Sequence, residues 1–263
     1  MRCSIARTFD LAMHPIYNPP RCHPCWLPFV LCGLLGLTTC TRALAAPTEP
    51  PAVVPATPSV VDASYAALLR ADGVVFKLDP ALSSVRIYAF RAGAARRFGH
   101  NHVLSAPAFT GYFFLPSQDS GEARFDLEFA LDALELDNPA QRVALGESFD
   151  TVLAPALVES TREHMLGAFN LEAERYPKVR IGSLRIAGEA PKFQALIRVE
   201  LHGQRQEMWV PLTVRGLPTS LTVEGAMVLL QSDFGIKPYA VLGGLLAVQD
   251  QLMVEFRLFG SSK

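Results

Sequence analysis

Alternation of apolar and polar residues dominates the sequence from Gly73 onward. Its clearest stretches run from Phe125 to Leu131 and from Phe193 to Leu201, where every second residue is apolar. Successive side chains of a β-strand point to opposite faces of a sheet, so this spacing predicts strands with one buried face. About eight such strands can be counted, joined by short turns, with little helix and no internal repeat.

Antiparallel strands of this number and spacing suit a closed barrel, whose interior is either packed with side chains or holds one small ligand. We therefore predict an all-β fold, an extended antiparallel barrel of about eight strands with one or two short helices. One helix is expected from Asp62, acting as its N-cap, to Ala71. A second is expected to begin at a capping box over residues 160–163 and to carry His164.

The first 45 residues have the features of a secretory signal peptide. Arginines precede an apolar run from Trp26 to Leu37, and the tripeptide Ala43-Leu44-Ala45 follows as a cleavage pattern. The run is shorter than the roughly 20 apolar residues that cross a bilayer, so we expect export and no membrane span in the mature chain; an uncleaved anchor is the alternative. Residues 46–72 are predicted to be a Pro/Ala-rich linker and short helix, and residues 73–260 the barrel domain.

All five cysteines precede residue 46, so the mature chain would form no disulfide and no Cys-ligated metal site. A periplasmic or secreted location is expected. Lipid anchoring through Cys40 is less favoured, because Thr39 is bulkier than is usual before a lipidated cysteine. Removal of four arginines and one aspartate with the signal leaves a net charge of −4. Without a basic run, nucleic acid is not an expected partner.

Five short motifs follow one another between residues 74 and 259. They are Phe76–Val85, Phe98-Gly99-His100 with Phe109-Thr110-Gly111, His164-Met165 with Tyr176-Pro177 and Ile181-Gly182-Ser183, Val199–Gly203 with Val210-Pro211-Leu212, and Ser232–Ile236. Their content and order resemble those of the YceI-like family of exported bacterial lipid-binding proteins. The resemblance implies a lipocalin-like barrel with a long tunnel that holds a polyisoprenoid chain, such as an isoprenoid quinone or its precursor, in a mostly periplasmic protein.

The chain departs from the family pattern at the positions expected to meet a head group. Asn101-His102 stands where the family usually has an aromatic or small polar residue, and Gln231 stands where it often has arginine. The segment from Asp137 to Thr161 is longer than usual, and we expect it to cover the barrel mouth.

Phenylalanines on the alternating strands form an aromatic inner face, which consists of Phe90, Phe109, Phe113, Phe125, Phe129, Phe193 and Phe256. From the residues alone, such a face either fills a core or lines a lumen that takes up an apolar ligand. With the resemblance, the candidates for the tunnel wall are Phe90, Phe109, Phe125, Phe129 and Phe234.

Three interpretations compete for His100 and His102, which we expect to face one space because residues two apart on a strand share a side. They could be hydrogen-bonded structural residues. They could bind a lipid head group together with His164, since a neutral imidazole donates to or accepts from a quinone carbonyl or a phenol. They could also bind a metal ion, with His164 as third ligand and Asp233 as fourth.

The favoured function is an exported protein that holds a polyisoprenoid or similar long-chain amphiphile for transport or sequestration. No cofactor is expected beyond a bound isoprenoid lipid or quinone, and a homodimer is compatible with the sequence. A nucleophile elbow is absent from the sequence, so catalysis is not expected. The alternatives are a histidine-liganded metal-binding envelope protein on the same barrel and a partner-binding module.

Overall fold

The structure is a computed structural model that describes residues 59–117 and 122–262. The predicted signal peptide, the first part of the predicted linker and Cys40 lie outside these residues. Within them, twelve strands form one antiparallel sheet and three α-helices accompany it. The strands are β1 (Gly73–Leu78), β2 (Ser84–Ala92), β3 (His102–Ser105), β4 (Thr110–Pro116), β5 (Arg124–Ala130), β6 (Glu135–Leu136), β7 (Lys178–Glu189), β8 (Lys192–Leu201), β9 (Gln204–Arg215), β10 (Ser220–Leu230), β11 (Ala240–Val241) and β12 (Leu246–Ser262). The helices are α1 (Val60–Leu68), α2 (Pro139–Leu145) and α3 (Pro155–Leu166).

Eight of the described strands close into a ring. They pair in the order β1, β4, β5, β7, β8, β9, β10 and β12, and β12 pairs back with β1, where Leu78 lies opposite Gly260. The apolar residues that alternate along these strands meet in one large core inside the ring. The predicted all-β fold, an antiparallel eight-stranded barrel with few helices, is therefore confirmed.

Strand β12 spans 17 residues and is long enough to pair with strands beyond the ring. One edge of β12 pairs with β10 along most of its length. The other edge pairs with β1 at the carboxyl end and with β2 from Ala247 to Arg257. Strands β3 and β6 follow β2, so they extend the barrel wall at the end opposite β1.

Helix α1 packs on the outside of the barrel. It begins three residues earlier than predicted, because Ser59 is its N-cap and Asp62 completes a capping box from within the first turn. Its Tyr65 ring stacks on Tyr112 of β4 with 5.1 Å between the centroids. The helix therefore covers the outer face of β1 and β4 and leaves the barrel interior untouched.

Each of the other two helices has a proline in its first turn. Pro139 follows the N-cap Asn138, whose side chain accepts hydrogen bonds from the first turn of α2. Pro155 stands in the first turn of α3, after Ala154. Proline suits this position because its missing N–H would have no partner in the helix. The capping box predicted at Ser160 is therefore wrong, since that residue lies in the helix interior.

Candidate ligand-binding site

The barrel encloses an inner cavity of about 130 Å³ at the end closed by β1. All the residues that line it are apolar. Five of them are phenylalanines predicted for the inner face: Phe113, Phe125, Phe129, Phe193 and Phe256. A wall without polar groups favours an apolar occupant, by roughly 25 cal/mol per Å² of apolar surface removed from water.

A second cavity of about 320 Å³, the mouth cavity, lies at the end where β2 and β3 extend the wall. Apolar residues form most of its lining, but seven polar side chains stand among them. These are His102, Ser160, Thr161, His164, Asn170, Gln231 and Tyr239. The polar groups of the candidate site are thus concentrated at one end of the barrel.

The two cavities adjoin inside the barrel. Phe129 of β5 and Val254 of β12 belong to both linings. A molecule that extends across these two residues would have one end among polar side chains and the other in a wholly apolar wall. This is the arrangement expected for an amphiphile with a single long chain.

Helix α3 forms one side of the mouth cavity. Leu157, Ser160, Thr161, His164 and Met165 line the cavity, at the spacing of a single helix face. The end of the segment that was expected to cover the barrel mouth is therefore part of the mouth lining.

Another side chain of α3 attaches the helix to the barrel. Arg162 donates hydrogen bonds to the backbone carbonyls of Leu134 and Asp132. Both acceptors belong to the turn between β5 and β6, so the position of α3 over the mouth is set by the barrel wall.

His102 is the first residue of β3, and its ring is held from behind by a buried carboxylate. Its Nδ1 lies 2.6 Å from Oδ2 of Asp137, which is fully excluded from solvent, whereas the His102 side chain keeps 16% of its surface accessible. The backbones of Asp137 and Val103 also bond to each other, with 2.7 Å from N to O. The ring therefore has one nitrogen on Asp137 and lines the mouth cavity with its exposed part.

Arg142 of α2 neutralises this carboxylate. Its Nη1 donates to Oδ1 of Asp137 over 2.6 Å and to the Asn101 carbonyl over 2.8 Å. Burial opposes ionisation of Asp137, but the hydrogen bonds that it accepts from His102, Val103 and Arg142 lower its pKa. The carboxyl group is consequently an anion that accepts from every neighbour.

His100 does not share the position of His102. Strand β3 begins at His102, so the alternation that would place both rings on one side does not extend to His100. His100 is absent from the linings of both cavities. Burial lowers the pKa of His100, and the nearby side chains of His102, Arg142 and Arg91 lower it further. His100 therefore does not join His102 in the lining of the mouth cavity.

His164 lines the mouth cavity on α3, where its Nδ1 donates to the Ser160 carbonyl over 2.6 Å. Its ring contacts Tyr239 edge to face at 5.5 Å. Over residues 59–117 and 122–262, no group of three or more His, Cys, Asp or Glu side chains is arranged to hold a metal ion. The ligands named in the metal hypothesis are thus not brought together.

The predicted wall residues divide into two groups. Phe125 and Phe129 line the inner cavity. Phe234 is 1% exposed and packs into the core, and Phe109 packs at its edge, but neither lines a cavity. Phe90 makes an edge-to-face contact with Phe149, with 6.2 Å between centroids, and is also absent from both linings.

Several residues of the mouth were not predicted. Asp137 and Arg142 carry the charges behind His102, and Asn170 and Tyr239 enter the lining from loops. The segment from Asp137 was identified only by its length. The sequence signal that could have revealed its role is Asn138-Pro139, which together mark a helix start close behind the carboxylate.

Comparison with known proteins agrees with this architecture. Residues 76–259 match the profile of a family described as the YceI-like domain. The crystal structure of BcnA from Burkholderia cenocepacia is similar, with a TM-score of 0.52 and 15% identity over 69% of this chain and 98% of that chain. At this identity the similarity shows a shared fold.

Two further structures were found at lower similarity. A polyisoprenoid binding domain from Saccharophagus degradans, implicated in plant cell wall breakdown, has a TM-score of 0.49 and 13% identity over 72% of this chain and 98% of that one. A YceI protein of Campylobacter jejuni has a TM-score of 0.41 and 9% identity over 61% and 84%. A comparison with curated proteins gave no match. Among the described residues, no helix has the length and apolar character needed to cross a membrane.

Proposed function

Because this chain belongs to the YceI-like domain family, we propose that it binds one long-chain amphiphile, a polyisoprenoid lipid, inside the barrel. The observation that carries the proposal is the pair of adjoining cavities, one wholly apolar and one with seven polar side chains. The apolar chain would lie along the phenylalanines of the inner cavity, and the head group would lie beside His102 and His164.

The protein would carry or sequester this lipid without changing it chemically. A signal peptide over residues 1–45 would place it in the periplasm or outside the cell, where an isoprenoid chain has to be shielded from water. Within the described residues, no three His, Cys, Asp or Glu side chains are placed together to bind a metal ion, so the metal hypothesis has less support.

The proposal is tested by identifying what the protein retains. The full chain is expressed in a bacterial host, purified without detergent and analysed by native mass spectrometry before and after extraction with organic solvent. We expect an adduct of several hundred daltons that is extractable and that fragments as an isoprenoid. Bare protein after purification, together with no uptake of added geranylgeraniol, would contradict the proposal.

A matched pair of variants locates the lipid. Phe193 lines the inner cavity, and the next residue, Gln194, points outward and is exposed. Phe193→Asp should abolish retention, because a carboxylate in an apolar wall is strongly unfavourable without a partner. Gln194→Asp introduces the same group on the opposite face of β8 and should retain the lipid. Equal retention in both folded variants would place the lipid elsewhere.

A further inference from the structure

We propose that His102 recognises the lipid head group as a hydrogen-bond acceptor, so that the site prefers a chain ending in a hydroxyl group over one ending in a carbonyl or an ether. The inference rests on the proposed function and adds the chemical class of the head group, a polyprenyl alcohol or a phenol.

The first step is the position of the hydrogen on the imidazole. Asp137 accepts hydrogen bonds at Oδ1 from Arg142 and from the Val103 N–H, and its Oδ2 lies 2.6 Å from Nδ1 of His102. A carboxylate surrounded by donors cannot itself donate, so Nδ1 must carry the hydrogen of this bond. In a neutral imidazole with Nδ1–H, Nε2 has a lone pair and no hydrogen.

The second step is the charge of the group. Arg142 and Asp137 form an ion pair in which both side chains are almost wholly buried. The charge of Asp137 is therefore already balanced, and a neutral His102 leaves the three groups with no net charge. A protonated His102 would instead give this largely buried group of three side chains a net positive charge.

The third step concerns the other polar side chains of the mouth cavity, three of which donate a hydrogen bond to the backbone. His164 donates through Nδ1 to Ser160, Asn170 through Nδ2 to Lys237, and Gln231 through Nε2 to Gln249, in each case to a carbonyl oxygen. Each of the two amides keeps its oxygen as an acceptor and a second N–H as a donor, and Nε2 of a neutral His164 is a further acceptor. The imidazole Nε2 atoms of His102 and His164 are thus acceptors that a hydroxyl donor satisfies and a carbonyl or ether oxygen does not.

The test compares two ligands that differ only in the hydroxyl hydrogen. Geranylgeraniol and its methyl ether have the same chain, and their affinities are measured with the delipidated full chain by competition against a fluorescent lipid. Loss of one hydrogen bond at a buried acceptor corresponds to roughly a tenfold weaker affinity. We expect the alcohol to bind about tenfold more tightly than the ether.

Variants and a spectroscopic measurement assign the effect to His102. His102→Phe should bind both ligands alike, whereas His100→Phe, outside the cavity linings, should keep the preference. The ¹⁵N NMR signals of the imidazole in the unaltered protein should show a protonated Nδ1 and a bare Nε2, which tests the inference even if His102→Phe does not fold.

The outcomes separate the two proposals. Tight but equal binding of alcohol and ether, or a preference that survives in folded His102→Phe, would overturn the head-group inference and leave lipid binding intact. A bare Nδ1 with a protonated Nε2 would also overturn it. Binding of neither ligand would contradict the proposed function itself.

Discussion

Arg142 Nη1 lies 2.6 Å from Asp137 Oδ1, and the two side chains are 4% and 0% exposed. The pair joins the first helix after β6 to the start of β3, because Asp137 also bonds to His102 and to the Val103 N–H. The position of His102 in the lining of the mouth cavity is therefore fixed by the ion pair of Asp137 and Arg142 behind it.

Removing the cation of this pair should destabilise the fold. Arg142→Met leaves Asp137 buried without its counter-charge, and loss of one partner of a buried pair typically costs about 3–5 kcal/mol. We expect a decrease of that order in the free energy of unfolding, measured by urea denaturation. The exposed pair of Arg215 and Glu224 provides the control, since Arg215→Met should cost less than about 1 kcal/mol. Similar losses in both variants would mean that the buried pair contributes no more than a surface pair.

Acid should weaken the fold through the same carboxyl group. Burial opposes ionisation of Asp137, but the hydrogen bonds that it accepts from His102, Val103 and Arg142 lower its folded pKa. An unfolded aspartate has a pKa of about 3.9, so the unfolded chain takes up this proton first as the pH falls. The stabilising contribution is therefore complete above about pH 4 and is lost as the pH falls through the lower folded pKa.

The variant Asp137→Asn isolates this contribution. Urea midpoints of the unaltered protein and of the variant are compared from neutral pH to about pH 2. The gap between them should narrow as the pH falls below about 4, because the aspartate is protonated first in the unfolded chain and then, below its lowered folded pKa, in the folded protein. A gap that stays constant over the whole range would show that ionisation of Asp137 does not stabilise the fold.

Two glycines with similar backbones should respond differently to alanine. Gly203 has φ +73° and Gly243 has φ +67°, so a side chain at either position adopts a left-handed conformation that costs about 1–2 kcal/mol. A Cβ at Gly203 would also come within 2.7 Å of the Tyr176 ring, whereas none of the described atoms lies within 4 Å of a Cβ at Gly243. Gly203→Ala should therefore reduce the free energy of unfolding by more than Gly243→Ala does. If both variants lose the same free energy of unfolding in urea denaturation, the Tyr176 ring moves aside without a measurable loss of stability.

Sequence periodicity was informative where one strand could be interpreted by itself. The alternation from Phe125 to Leu131 predicted a buried face, and both Phe125 and Phe129 line the inner cavity. The same rule did not hold for His100, because it applies only within a strand and β3 begins two residues later. Phe234 was predicted to lie in the tunnel wall, but it ends a short 3₁₀-helix and is buried in the core.

The arrangement of side chains around the mouth cavity depends on contacts between segments that are distant in sequence, and periodicity along one segment does not predict such contacts. Asp137 meets His102 from a position 35 residues away, through the pairing of β6 with β3. Strand β6 has only two residues, too few to show alternation. Arg142 reaches the carboxylate because α2 begins at Pro139, a residue that by itself indicates a break as readily as a helix start.

The inner cavity should determine how long a chain the protein retains. Ala123 is a small residue in the lining of this cavity, whose volume is about 130 Å³. In Ala123→Phe, a ring would occupy space that the far end of a long chain needs, so the variant should lose affinity for solanesol and keep its affinity for the shorter farnesol. Both affinities are measured by competition with the delipidated protein.

A residue on the outer face controls for the added bulk. Ala226 is exposed on β10, next to the lining residue Met227, and Ala226→Phe should leave the chain-length preference unchanged. Overpacking costs about 1–3 kcal/mol, so thermal melting must first show that Ala123→Phe is folded. If the folded variant then binds both alcohols as the unaltered protein does, the chain cannot extend into the inner cavity, and the lipid would have to be held by the mouth cavity alone.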